Sequence, residues 1–94
     1  MKEQEVLDIE RAALDLLLQY RKEGNLSETE LGKLAFPEAA RPRSKVNALW
    51  SVKTDGGKPL RLRLGDFCAM CDAMGKDPSQ ELFTLWQRHK ISAK

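Results

Sequence analysis

Two cysteines, Cys68 and Cys71, and the only histidine, His89, are the side chains whose types are suited to redox or metal chemistry. A structural zinc site needs a full tetrahedral set of ligands, and the sequence contains no second cysteine pair. Redox-active Cys-x-x-Cys motifs usually follow a strand, whereas these cysteines fall on the apolar face of a helix expected at 64–74. We therefore predict that both pack in the core, that His89 lies on the surface of the last helix, and that the chain holds no metal or cofactor.

The other polar motifs do not form a catalytic set. Asp66 and Asp77 have the positions of helix-start residues, so with Asp72 they give no general acid–base pair. Gly56-Gly57 is typical of a turn, because no Gly-Lys-Ser/Thr phosphate loop follows a strand. No Ser–His–Asp arrangement is present. Without a convergent polar set, the sequence argues against an enzyme.

The positive charge of the sequence is concentrated in one segment. Residues 1–38 hold five Lys/Arg against nine Asp/Glu, and residues 64–94 hold four of each. Residues 39–63 hold seven Lys/Arg against one acidic residue. Such a segment beside acidic flanks indicates a surface that binds a polyanion, and a solvated basic loop is the alternative. The seven are Arg41, Arg43, Lys45, Lys53, Lys58, Arg61 and Arg63.

The length and hydropathy of the chain limit the classes of protein to which it can belong. Its 94 residues suit a single domain, because domains typically contain about 100–150 residues. No run approaches the roughly 20 apolar residues that span a membrane, and the acidic start differs from the basic start of a secretory signal. We expect a cytoplasmic protein with reduced cysteines.

Hydrophobic periodicity and helix-end signals predict an all-α fold with five helices. The capping-box sequence Ser27-Glu28-Thr29-Glu30 starts the second helix, and Asp77-Pro78 starts the fifth with an N-cap and an N1 proline. Trp50 is expected in the core, and Trp86 is left open between the core and a dimer surface. The five predicted helices cover about 4–23, 27–36, 44–52, 64–74 and 78–90, with a frayed tail after about residue 90.

The segment between the third and fourth helices has features of a hairpin. Asp55-Gly56-Gly57 is a strong turn signal, and Leu60–Leu64 alternates apolar and basic residues with the period of a strand. A small hairpin at 52–64 is therefore an alternative to a plain loop. With such a hairpin the domain would be a winged-helix variant.

Residues 27–52 form a helix-turn-helix pattern of two short helices, the second with a basic start. A major groove about 12 Å wide admits one α-helix, and the first helix braces it. Val46, Leu49 and Trp50 are expected to hold the second helix, Ser44 to about Val52, against the core. The predicted base-reading residues are Arg43, Ser44, Lys45, Asn47 and Ala48. The predicted phosphate contacts are Arg41, Lys53, Lys58, Arg61 and Arg63.

Two stretches of the sequence carry a family resemblance. Leu26–Gly32 (LSETELG) resembles the start of the second helix in lambda-repressor-like (XRE/Cro-type) DNA-binding domains. Leu64–Phe83 is similar to that family's junction between the fourth and fifth helices. The resemblance covers roughly residues 9–86 and implies a compact five-helix fold, DNA binding, often as a dimer, and a regulatory role of the prophage or bacterial type. The connection before the third helix is longer than the family's tight turn.

Two functions from different classes follow. We predict a sequence-specific double-stranded DNA-binding transcriptional regulator, homodimeric, without a membrane or small-molecule partner. The alternative is a protein-interaction or antitoxin-like module on a helix-turn-helix scaffold. The long connection favours the second, whereas the basic start of the third helix favours the first.

Overall fold

Five helices make up most of the chain in the computed structural model, which describes residues 1–51, 54–55, 58–59 and 61–92. The all-α class and the five helices expected from the sequence are confirmed. The elements are α1 (Glu3–Glu23), α2 (Glu28–Ala35), α3 (Pro42–Ser51), β1 (Thr54–Asp55), β2 (Lys58–Pro59), α4 (Leu64–Ala73) and α5 (Pro78–Ser92).

The helix ends follow local capping chemistry. Ser27 Oγ accepts the Glu30 N–H at 3.0 Å, and Glu30 Oε1 accepts the Ser27 N–H at 3.2 Å, which confirms the predicted capping box. Before α5, Asp77 Oδ1 accepts the Ser79 N–H at 2.9 Å. After α4, Gly75 has a φ of +71°, a left-handed conformation that glycine adopts without steric cost.

The predicted start of α3 at Ser44 is wrong. The helix begins two residues earlier, at Pro42, and the carbonyl of Arg41 accepts the Lys45 N–H at 3.1 Å. Proline fits the first helical position because its missing N–H would have no partner inside the helix. This start places Arg43 and Ser44 inside the first turn of α3.

The small hairpin considered as an alternative at 52–64 is present as a minimal antiparallel pair, in which Thr54 faces Pro59 and Asp55 faces Lys58. The strand period of Leu60–Leu64 does not extend it: residues 61–63 have no regular structure, and Leu64 begins α4. Residues 52, 53, 56, 57 and 60 of the predicted hairpin lie outside the described residues.

The core lies between α1, α2, α3 and α4, with one contribution from α5. Leu17, Leu31, Val46, Met70 and Cys71 are each 0% exposed. Leu85 is a buried large residue of α5, whereas Leu82 and Phe83, which with Leu85 form the apolar side of the predicted helix, are exposed. Trp86, left open between the core and a dimer surface, is also exposed. The buried core is Ala13, Leu14, Leu16, Leu17, Leu31, Phe36, Val46, Leu49, Phe67, Met70, Cys71 and Leu85.

The packing of α3 decides how the candidate site is presented. It packs mainly against α2, and the two backbones meet where Gly32 lies against Pro42. On the other side of the molecule, α1 and α5 run antiparallel, since Glu5 lies near His89 and Tyr20 near Glu81. Among the described residues, no helix is both long enough and apolar enough to cross a membrane.

Candidate nucleic-acid interface

The first turn of α3 presents basic and polar side chains to solvent. Arg43 and Ser44 are exposed, as is Arg41 immediately before the helix. The opposite face is anchored, because Val46 is 0% and Leu49 7% exposed. The helix is thus held to the core by one face and leaves its N-terminal turn open.

The start of α3 also differs electrostatically from the other helix starts. Within the described residues, the first turns of α1, α2, α4 and α5 each contain at least one Asp or Glu, and that of α3 contains none. An acidic side chain there would offset the positive end of the helix dipole. The positive end of the α3 dipole and the two exposed arginines are therefore suited to a phosphate.

Lys45 is turned toward the body of the protein. Its Nζ lies 3.5 Å from Asp66 Oδ1 in α4 and 4.5 Å from the centroid of the Phe36 ring. Its side chain is 40% exposed, against 18% for Asp66. To contact a base, Lys45 would have to leave both partners, so its present contacts serve to dock α3 on α4.

The other predicted base-reading residues occupy two environments. Asn47 and Ala48 are partly buried, in contrast to exposed Arg43 and Ser44. Trp50, near the end of α3, packs partly buried against the core, as expected. Arg21 of α1 stacks over its ring with the guanidinium carbon 5.5 Å from the ring centroid.

The predicted phosphate contacts are not all in one place. Arg41 and Arg63 are exposed. Arg61 is paired with Glu10 of α1: its Nε and Nη2 each donate to a carboxylate oxygen at 2.7 Å. Lys53 lies outside the described residues, as does the side chain of Lys58, whose backbone belongs to β2.

Two carboxylates that matter here were not identified from the sequence. Glu10 binds Arg61, and Asp66 pairs with Lys45. Glu10 and Arg61 are 51 positions apart, and the sequence places acidic residues at many exposed helix positions. The only signal in the sequence was that each pair has opposite charges, and opposite charge does not indicate which of the many acidic residues lies near a given Arg or Lys.

The cysteines and the histidine are placed by helix packing. Cys71 is fully buried and Cys68 partly buried, both as free thiols, and burial raises the pKa of Cys71 to about 11. His89 departs from the predicted surface position: its side chain is 19% exposed, and its Nε2 lies 3.4 Å from Glu5 Oε2. Among the residues that the structure describes, no group of three or more His, Cys, Asp or Glu is arranged to hold a metal.

The geometry is that of an exposed basic helix end on a small helical scaffold. The chain has no match among protein-family models, curated proteins or solved structures. The lambda-repressor-like resemblance based on Leu26–Gly32 and Leu64–Phe83 therefore stays a hypothesis.

Proposed function

We propose that this protein binds double-stranded DNA sequence-specifically through the first turn of α3 and acts as a transcriptional regulator of the lambda-repressor-like, helix-turn-helix type. The observation that carries the proposal is the exposed, basic start of α3 on a helix whose other face is buried through Val46 and Leu49. A helix held in this way can enter a major groove without losing its core contacts.

The exposed side chains divide into two roles. Arg43 and Ser44, inside the first turn, read base edges, because an arginine in the groove can donate two hydrogen bonds to guanine. Arg41 and Arg63 bind phosphates, which set the position of the protein on the duplex and carry no sequence information. Asn47 and Ala48 face the groove less fully, since both are partly buried.

Fluorescence anisotropy of the chain with a labelled random duplex, repeated over a range of salt concentrations, tests this function. We expect log K to fall linearly with log salt, by roughly 0.9 per neutralised phosphate. The Arg41→Ala, Arg43→Ala variant is expected to bind far more weakly. Lys90→Ala, which removes an exposed charge from α5, is the control and should bind like the unmodified chain. Absence of binding at low salt would contradict the proposal.

A second candidate is the protein-interaction module, favoured by the apolar surface of α5. Leu82, Phe83 and Trp86, at i, i+1 and i+4 on the helix, are 44%, 61% and 40% exposed, and exposed apolar patches often mark protein contacts. For a DNA-binding regulator the same surface suits a homodimer. Sedimentation equilibrium of the unmodified chain and of Phe83→Ser separates these cases: dimerisation that Phe83→Ser abolishes supports the homodimer, whereas a monomer with no duplex binding supports a module for another protein.

A further inference from the structure

The carboxylate of Glu10 accepts three hydrogen bonds from the segment between β2 and α4. It accepts the Nε and Nη2 of Arg61, both at 2.7 Å, and the backbone N–H of Leu62 at 3.2 Å. Two parallel donors from one guanidinium fix both the distance and the orientation of the pair. Because the Leu62 N–H also takes part, Glu10 holds the backbone of this segment and not merely a flexible side chain.

Glu10 and Arg61 carry opposite charges throughout the physiological pH range. The hydrogen bond from Arg61 lowers the pKa of Glu10 below its ordinary value, so the carboxylate is ionised throughout the physiological range. Its side chain is 19% exposed, whereas that of Arg61 is 56% exposed. A DNA phosphate that recruited Arg61 would therefore leave a partly buried carboxylate without its main partner, which carries a desolvation cost.

Arg61 and Leu62, which Glu10 holds, belong to the connection between α3, the helix of the candidate interface, and α4. Between Ser51, the end of α3, and Leu64, the start of α4, the described backbone forms the short β1–β2 pair. Arg61 and Leu62 follow that pair closely, and Leu62 packs against the core. A carboxylate on α1 that holds these residues fixes the end of the connection against the helical body.

We propose that Glu10 is a positioning residue for DNA binding, and that Arg61 serves as its partner and not as a phosphate ligand. This inference rests on the proposed function. The Glu10–Arg61 clamp holds the described segment before α4 in the orientation in which exposed Arg63 meets the duplex. Without either member Arg63 still reaches its phosphate, but the segment must then be ordered on binding, so affinity falls while the number of neutralised phosphates is unchanged.

The test compares salt slopes of duplex binding for Glu10→Gln, Arg61→Ala and the double variant. We expect each single variant to lose affinity by about the same factor, roughly tenfold, with the unmodified slope. The double variant should be no weaker than either single one, because both changes break one interaction. Arg63→Ala, further along the chain but exposed, is the control, and its slope should fall by roughly 0.9.

A structural readout in the free protein accompanies the binding data. Hydrogen exchange of the Leu62 amide should accelerate in Glu10→Gln while exchange of core amides in α1 stays slow. A slope lowered by roughly 0.9 in Arg61→Ala, together with tighter binding by Glu10→Gln, would overturn the inference and make Arg61 a phosphate ligand. If the unmodified chain binds no duplex at low salt, the proposed function fails, and the DNA role of the clamp fails with it.

Discussion

Gly32 of α2 lies in direct backbone contact with Pro42, the first residue of α3. A Cβ on Gly32 would stand 2.6 Å from the Pro42 carbonyl carbon and 2.7 Å from its oxygen. It would also stand 3.0 Å from the backbone nitrogen of Arg43. These neighbours are backbone atoms of a helix end, so they cannot rotate away as a side chain would. The close approach of α2 to α3, and with it the direction of the candidate DNA-binding helix, requires glycine at this position.

Gly32→Ala is therefore expected to destabilise the protein by about 1–3 kcal/mol, the usual cost of forcing an added group into a packed site. It should also weaken DNA binding, because relief of the clash moves the start of α3. Gly65→Ala is the matched control: Gly65 lies in α4, and none of the described neighbours comes within 4 Å of the position that its Cβ would take. Alanine there should stabilise by about 0.4–1 kcal/mol. Urea denaturation followed by circular dichroism measures both, and equal effects of the two changes would contradict the close-contact explanation.

Arg43→Ala is expected to reduce affinity for a selected DNA site by about 1–3 kcal/mol if Arg43 reads a base. The loss on random duplex should be much smaller. Competition anisotropy with a site obtained by selection from a random library gives both values. An equal loss on selected and random DNA would instead assign Arg43 to a phosphate. Unfolding curves of the variant serve as the control for folding, and they should match the unmodified chain because Arg43 is exposed.

Tyr20 is the only tyrosine, so its ionisation can be followed by tyrosinate absorbance. Its hydroxyl donates to Glu81 Oε2 at 2.7 Å, and this contact raises the pKa of Tyr20 to about 12. Since the neutral phenol is favoured in the folded state, this stabilisation is complete below about pH 10 and is lost as the pH rises toward about 12. Glu81→Gln should bring the pKa back toward its ordinary value. Glu23→Gln, which removes a weaker electrostatic influence, should lower it less, and the reverse order would contradict the assignment.

The two thiols are expected to differ in reactivity. Cys71 is 0% exposed, and its pKa is raised to about 11 by burial, so little of the nucleophilic thiolate forms near neutral pH. Cys68 is partly buried and should be alkylated first in the native protein. Mass spectrometry after timed iodoacetamide treatment measures the order, and a denatured sample is the control in which both react. Faster native alkylation of Cys71 would contradict the packing described for α4.

Local signals predict the helix ends wherever the ends depend on neighbours in sequence. The Ser27–Glu30 capping box and the Asp77-Pro78 start of α5 need only residues within one turn, and both are present as expected. The start of α3 differs from the prediction because Ser44 has the type of an N-cap, whereas Pro42 at the first helical position takes precedence in the folded chain. Either residue is a valid helix start locally, and the packing of Gly32 against Pro42 distinguishes them.

Periodicity predicts the inward faces of α1, α3 and α4 but not that of α5. Leu82, Phe83, Leu85 and Trp86 are all apolar, and Leu85 is the one that is buried. Among these four, Leu85 joins the buried core where α5 packs against α1 and α4, so its apolar neighbours on the helix remain exposed. Hydrophobicity alone does not state how many neighbours a terminal helix will have.

The sequence by itself determined the all-helical class, the capped helix ends and the concentration of positive charge in residues 39–63, because these depend on residue type and short-range spacing. Only the tertiary structure decided which cations stay open to a partner. Arg43 remains exposed, whereas Lys45 meets Asp66 and Arg61 meets Glu10. Charge is carried by the residue, but its availability depends on which carboxylates the packing of α1 and α4 brings within hydrogen-bonding distance.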